Sequence, residues 1–147
     1  MNSGIYRQAA VKVEFRDISA GSVERLNYGI CREQLREENT MFVYNKDAKP
    51  TPCEPGVTRR VLTYSDNLMM CEITFEKGAQ GNFHSHVHEQ ITYIAEGSFS
   101  FTIAGETKVV NKGDSVYMPS NAEHGVTCLE AGKLVDVFNP KRDDFLK

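Results

Sequence analysis

Gly78-Ala-Gln-Gly-Asn-Phe-His84-Ser-His86-Val-His88-Glu89-Gln90, followed downstream by Gly113-Asp-Ser-Val-Tyr-Met-Pro119-Ser-Asn121-Ala-Glu-His124, contains every histidine of the chain. Three histidines alternate within the first segment and the fourth closes the second. Successive side chains of a strand point to opposite faces, so an extended first segment turns His84 and His86 the same way. Gln90, beyond a turn, can return its amide to that face from the neighbouring strand, and His124 can arrive from a partner strand. The framing glycines permit turns and Pro119 ends a strand, which suits a small barrel with a metal in its mouth. Imidazole is the commonest ligand for a divalent transition metal. A lone His-x-His carries little weight, whereas both halves in this order carry much more. His88 shares the parity of His86. Glu89 is the rival of Gln90 as a ligand.

Around these segments the chain reads as short strands. Met69, Cys71, Ile73 and Phe75 alternate with Met70, Glu72, Thr74 and Glu76, and Phe99, Phe101 and Ile103 alternate with Ser98, Ser100 and Thr102. This is the period of half-buried strands. Ala104-Gly-Glu106 predicts a hairpin turn. Further apolar runs at 115–118, 126–129 and 134–138 predict three more strands. Close spacing without helical patterns argues for an all-β antiparallel sandwich or barrel, placed at residues 49–147. Residues 1–48 form an extension with one strand at 11–15, a short helix at 31–39 and another strand at 41–44.

A chain of 147 residues is most simply one domain. With 17 Lys+Arg against 20 Asp+Glu, the net charge of -3 gives no support for nucleic acid or an anionic membrane as a partner. No stretch suits a signal peptide or a membrane span, so the cytoplasm is the expected location. Cys31, Cys53, Cys71 and Cys128 are widely spaced and read as free thiols rather than a disulfide framework.

The last predicted strand supplies a second cluster. Leu134, Asp136 and Phe138 share one face, and an aspartate among apolar neighbours must be paired, protonated or placed in a pocket. Arg142 is a candidate partner for Asp136 and also a candidate bidentate clamp for a substrate carboxylate. The simpler alternative is a salt bridge closing the C-terminus.

The two glycine-framed segments resemble the cupin family. Asn67-Leu-Met-Met70, Phe75-Glu-Lys-Gly78, the run from His84 to Tyr93 and the ending Asp136-Val-Phe-Asn-Pro-Lys-Arg142-Asp-Asp-Phe145 resemble its pectin-degradation cupins of the KdgF type. The resemblance covers residues 56–146 and implies a double-stranded β-helix, or jelly-roll, barrel. It implies one divalent transition metal (Zn, Ni, Mn or Fe) on His84, His86, Gln90 and His124, with Asp136, Phe138 and Arg142 lining the active site. His88 falls where the family turns, which implies a place behind the ligands or at the pocket rim rather than ligation. The activity it implies is conversion of cyclic 4,5-unsaturated monouronates to linear keto-uronates. The metal is then expected on the substrate carboxylate and an adjacent oxygen, with Arg142 steadying the anion. The partners expected are a small sugar acid and a second copy of the chain in a homodimer. Two positions depart from the family pattern: Asn121 stands for a glycine, acceptable because asparagine tolerates positive φ, and Cys128 stands for an asparagine at a buried strand position. The competing readings are another metal-dependent cupin lyase, isomerase or oxygenase, and a non-catalytic sugar-binding cupin.

Overall fold

The computed structural model describes residues 41–147. The strand expected at 11–15, the helix expected at 31–39 and Cys31 lie outside that range. Eight strands follow in order among the described residues: β1 (Thr51–Pro52), β2 (Val57–Tyr64), β3 (Met69–Phe75), β4 (Gln80–His84), β5 (Glu89–Ile103), β6 (Glu106–Asn111), β7 (Ser115–Met118) and β8 (His124–Asn139). They form an antiparallel path β1-β2-β3-β8-β5-β6, with β4 added on β8 and β7 on β5.

The barrel is built around the β5–β8 pair. The second half of β8 pairs with β3, from Gly132 opposite Phe75 to Phe138 opposite Met69, while its first half pairs with β4. Likewise the first half of β5 carries β7 and its second half carries β6. Each long strand therefore serves two facing sheets, which is a jelly-roll barrel as the sequence predicts. One expectation is corrected: the runs at 126–129 and 134–138 are not two strands but parts of one continuous strand, β8. Gly132 does not interrupt it but lets it bend. An ideal Cβ on Gly97 would lie 2.5 Å from the Glu130 carbonyl oxygen, and one on Gly132 would overlap the Glu96 carbonyl oxygen. Only hydrogen side chains let the two backbones meet so closely.

The bend also changes parity. In β5, Gln90, Thr92 and Ile94 are buried before it, and Phe99 and Phe101 after it, with register shifts between Ile94 and Phe99. An extra residue in a bulge moves every later side chain to the other face of its strand. The alternation expected for β3 is present, with Met69, Cys71, Ile73 and Phe75 all turned inward. Phe75 and Phe99 meet edge to face at 5.5 Å across the core, a favoured aromatic geometry. The turn at Ala104-Gly105 has φ of 48° and 85°, the two positive values of a tight hairpin.

The strand expected at 41–44 is absent. Met41, Phe42 and Tyr44 are exposed, no strand among the described residues pairs with them, and the backbone enters a 3₁₀ turn at Asn45–Asp47. Cys53, Cys71 and Cys128 are free thiols. Burial pushes the Cys71 thiol up to about 12, so it is inert as a nucleophile. No helix among the described residues is long and apolar enough to cross a membrane.

The bend can be tested by three alanine substitutions followed by urea unfolding. Gly97→Ala and Gly132→Ala should each cost about 3 kcal/mol or more, because a Cβ meets backbone that cannot move aside. Gly105→Ala has open space around it and should cost only about 1 kcal/mol, for its left-handed φ. Equal losses at all three sites would show that close backbone approach does not hold the bend.

Candidate metal centre and active site

His84 ends β4 and His124 opens β8, and the two are cross-strand partners. His86 follows in the loop before β5. That loop is held by the turn after Pro119, where Asn121 N–H donates to the His86 carbonyl at 2.7 Å and the Ser120 hydroxyl to the Val87 carbonyl at 2.6 Å. Asn121 has φ of 62°, the conformation anticipated for this substitute of a glycine. The ring centroids of His84 and His86 lie 4.5 and 5.0 Å from that of His124. Candidate ligand atoms of the three all fall within 4.8 Å of one another.

The hydrogen bonds fix which nitrogens face inward. Nδ1 of His84, His86 and His124 lies 2.7, 3.0 and 2.8 Å from the carbonyl oxygens of Asn82, His88 and Ala122 respectively. A carbonyl can only accept, so each Nδ1 carries a proton and each neutral ring keeps its lone pair on Nε2. Burial holds His86 and His124 below the ordinary histidine range, which favours the neutral form. His124 Nε2 is buried with no partner, a costly state for a polar atom unless something binds it.

Gln90 completes the inward set. Its Nε2 donates to Thr92 Oγ1 at 3.1 Å, and Thr92 donates its one hydroxyl proton to Asp136 Oδ1 at 2.6 Å. That chain turns Gln90 Oε1 toward His86 Nε2, 3.1 Å away. Two lone-pair atoms at this distance repel unless a cation lies beside both. The orphaned His124 nitrogen and the Gln90–His86 contact both fit a divalent metal, and the donor set of neutral imidazoles and one amide admits several transition ions. Glu89, the rival ligand, faces outward and accepts a hydrogen bond from the Tyr117 hydroxyl at 2.6 Å. His88 lies outside the triad, its ring 5.4 Å from that of His86.

Asp136 faces the same interior. It is 8% exposed, and burial raises its carboxyl to about 6 despite the hydrogen bonds from Thr92 and Gln90 and the charge of Arg142. The pairing weighed between Asp136 and Arg142 does not form. Arg142 instead donates from Nε and Nη2 to Asp144 at 3.0 and 2.8 Å, the C-terminal salt bridge. Phe138 is buried, with its ring 5.8 Å from His86 and 5.7 Å from Phe145.

His84, Gln90, Asp136, Phe138 and Arg142 line one cleft of about 290 Å³. That is the lower end of the roughly 300–1,000 Å³ typical of small-molecule sites, a fit for one sugar ring rather than an oligomer. The cleft also holds Thr92, Arg59 and Phe145, which the sequence reading had not assigned. Thr92 shares the parity of Gln90, two residues earlier, and that signal could have found it. Arg59 sits between Val57 and Val61 on the inward parity of β2, where a charge is out of pattern.

A cupin domain family model matches residues 71–138. The chain is 47% identical over 93 residues to the pectin degradation protein KdgF of Dickeya dadantii, covering 62% of this chain and 84% of that protein. Among solved structures, an RmlC-like cupin from Shewanella frigidimarina superposes with a TM-score of 0.70 at 36% identity, over 72% of this chain and 96% of that one. KdgF from Halomonas sp. superposes at 0.69 and 32% identity, over 72% of this chain and 98% of that one.

Protein stripped by chelator should take up one equivalent of a divalent transition ion, read by elemental analysis after desalting. His124→Ala, which removes the buried ligand, should weaken that uptake by on the order of 100-fold or more. His88→Ala should leave the stoichiometry unchanged. Equal uptake by the parent and His124→Ala would rule out this centre.

Proposed function

Because the chain belongs to the cupin family, in the branch of KdgF, we propose that it opens cyclic 4,5-unsaturated monouronates to linear keto-uronates in this cleft. The observation that carries the reading is Asp136: a buried carboxyl raised to about 6 beside the three-histidine cluster, in a cleft sized for one sugar. A proton donor and acceptor works best when its pKa lies near the working pH, and neither a sugar-binding module nor a purely structural metal needs one.

His84, His86, Gln90 and His124 would hold the metal. When bound, it supplies a Lewis acid that polarises the substrate carboxylate and an adjacent oxygen. The reaction is an isomerisation. The C1 hydroxyl loses its proton as a carbonyl forms there, and the bond from C1 to the ring oxygen breaks. Its electron pair makes the C5 ketone, and C4 of the former double bond takes up a proton. Asp136 would move protons in this exchange, accepting from the hydroxyl or delivering toward C4. Thr92 and Gln90 orient its carboxyl through the hydrogen-bonded chain. Phe138 offers its ring edge to one face of the sugar, and Arg142, paired with Asp144, forms part of the cleft wall.

We also propose a homodimer. Ile91 and Tyr117 pair across β5 and β7 and, with Tyr93, leave an exposed apolar strip on the outer face, the kind of patch that marks association. Light scattering should return twice the chain mass, and a clean monomer would refute the dimer.

The activity is read as loss of the enol-ether ultraviolet absorbance of an unsaturated galacturonate monomer, with spontaneous opening subtracted. Parent enzyme should accelerate it, and chelator should abolish the acceleration. Asp136→Asn should lower kcat by about 10²- to 10⁴-fold with full metal loading. It should melt no lower than the parent, since it removes a buried carboxylate. Near-normal turnover by a metal-loaded Asp136→Asn would remove Asp136 from the chemistry.

A further inference from the structure

Arg59 is the one charged side chain on the inward parity of β2. Its neighbours on that face, Val57 and Val61, stand opposite Phe75 and Cys71, and Arg59 itself stands opposite Ile73. These β3 residues belong to the apolar core. The adjacent Arg60 turns outward and reaches Glu72 at 3.5 Å. Arg59 has no such partner: its Nε is buried without a hydrogen bond, and no carboxylate among the described residues lies within salt-bridge distance of it. A guanidinium against apolar walls with no counter-ion is costly. Phe145 offsets part of that cost, its ring centroid 3.5 Å from the guanidinium carbon. Such stacking occupies the flat face of the group. The N–H edge, which grips carboxylates in a fork, is left free.

The other arginine of the cleft is already compensated. Arg142 spends Nε and Nη2 on Asp144, and that hydrogen bond holds the Asp144 carboxyl down at about 2, so the pair persists at neutral pH. Phe145 touches this guanidinium as well, at 4.3 Å, and so braces both arginines. The uncompensated positive charge of the cleft therefore belongs to Arg59, which shares the cavity with His84, Gln90 and Asp136.

We propose, on the uronate reading above, that Arg59 is the guanidinium that pairs with the substrate carboxylate and sets the preference for an acid over a neutral sugar. Arg142, its charge already met by Asp144, keeps only Nη1 uncommitted and acts as a positioning residue for Phe145 and Phe138, whose rings its guanidinium faces. A bound carboxylate supplies the counter-ion that β2 lacks.

The test compares the metal-loaded parent with Arg59→Gln, which removes the charge, and Arg59→Lys, which keeps the charge without the fork. Turnover of the unsaturated galacturonate is measured alongside calorimetric binding of galacturonate and of galactose. Arg59→Gln should raise KM and weaken galacturonate binding by about 10- to 100-fold, the loss of a charge-assisted hydrogen bond. It should change kcat by less than about threefold, leave galactose binding unchanged and melt no lower than the parent. Arg59→Lys should recover part of the loss. An active parent whose Arg59→Gln variant keeps parental KM and galacturonate affinity overturns the proposal and leaves the ring-opening reading standing. Losses in both variants that track a fall in melting temperature also overturn it, in favour of a structural role. A parent that does not turn over the uronate, but binds galacturonate in an Arg59-dependent way, keeps the anion site and rejects the ring-opening reading.

Discussion

The backbone of β5 at Gly97 meets that of β8 at Gly132 with no space for a Cβ on either side, and the barrel takes its shape from that contact. Bent there, each strand leaves one sheet and enters the facing one, so the core closes with few strands. The bend also sets which residues look inward. Gln90 and Thr92 on β5, and Asp136 and Phe138 on β8, lie on one side of it and occupy one layer: Gln90 is opposite Phe138 and Thr92 is opposite Asp136. A slip of one residue in this pairing would turn that whole polar layer outward. Register, rather than any single hydrogen bond, makes the site.

In and around the layer, several groups sit in states that an ordinary core would avoid. A carboxyl is buried, an imidazole nitrogen is orphaned, and a guanidinium has no carboxylate among the described residues within salt-bridge distance. Each costs stability by itself. The carboxyl and the guanidinium line one cleft of about 290 Å³ with His84, whose ring centroid lies 4.5 Å from that of His124. A cation on the histidines with an anion on Arg59 would satisfy the orphaned nitrogen and the guanidinium together. Clustering of unsatisfied and perturbed groups marks functional sites for this reason. The apolar core below, with Phe99, Met69, Ile94 and Met118 almost wholly buried, bears the cost and keeps the layer from collapsing.

The arginines show how the same residue type can take opposite roles. Arg142 looks from the sequence like a clamp for a carboxylate or a partner for Asp136, and both ideas are electrostatically sound. Asp144, two residues on in the 3₁₀ turn Asp143–Leu146, claims the fork first, because a local partner costs less chain entropy to bring together than a distant one. Arg59, unremarkable among the charges of β2, keeps its fork free because no carboxylate among the described residues, Glu54 and Asp136 of the same cleft included, comes within salt-bridge distance of it.

The sequence by itself determined the all-β class, the strands around Met69–Phe75 and Phe99–Ile103, the hairpin at Ala104-Gly105, and the grouping of His84 with His86. These follow from periods of two and from turn residues, which act over a few neighbours and leave a local trace. It also marked Gln90, His124, Asp136 and Phe138 as members of a family pattern. Tertiary structure alone decided that two apolar runs form one bent strand and that Thr92 links Gln90 to Asp136. It also decided that Arg142 turns to Asp144 while Arg59 enters the cleft. Those outcomes depend on which strands pair and in which register. Pairing is settled by burial across the whole barrel, so residues far apart in the chain become neighbours without any local pattern announcing it.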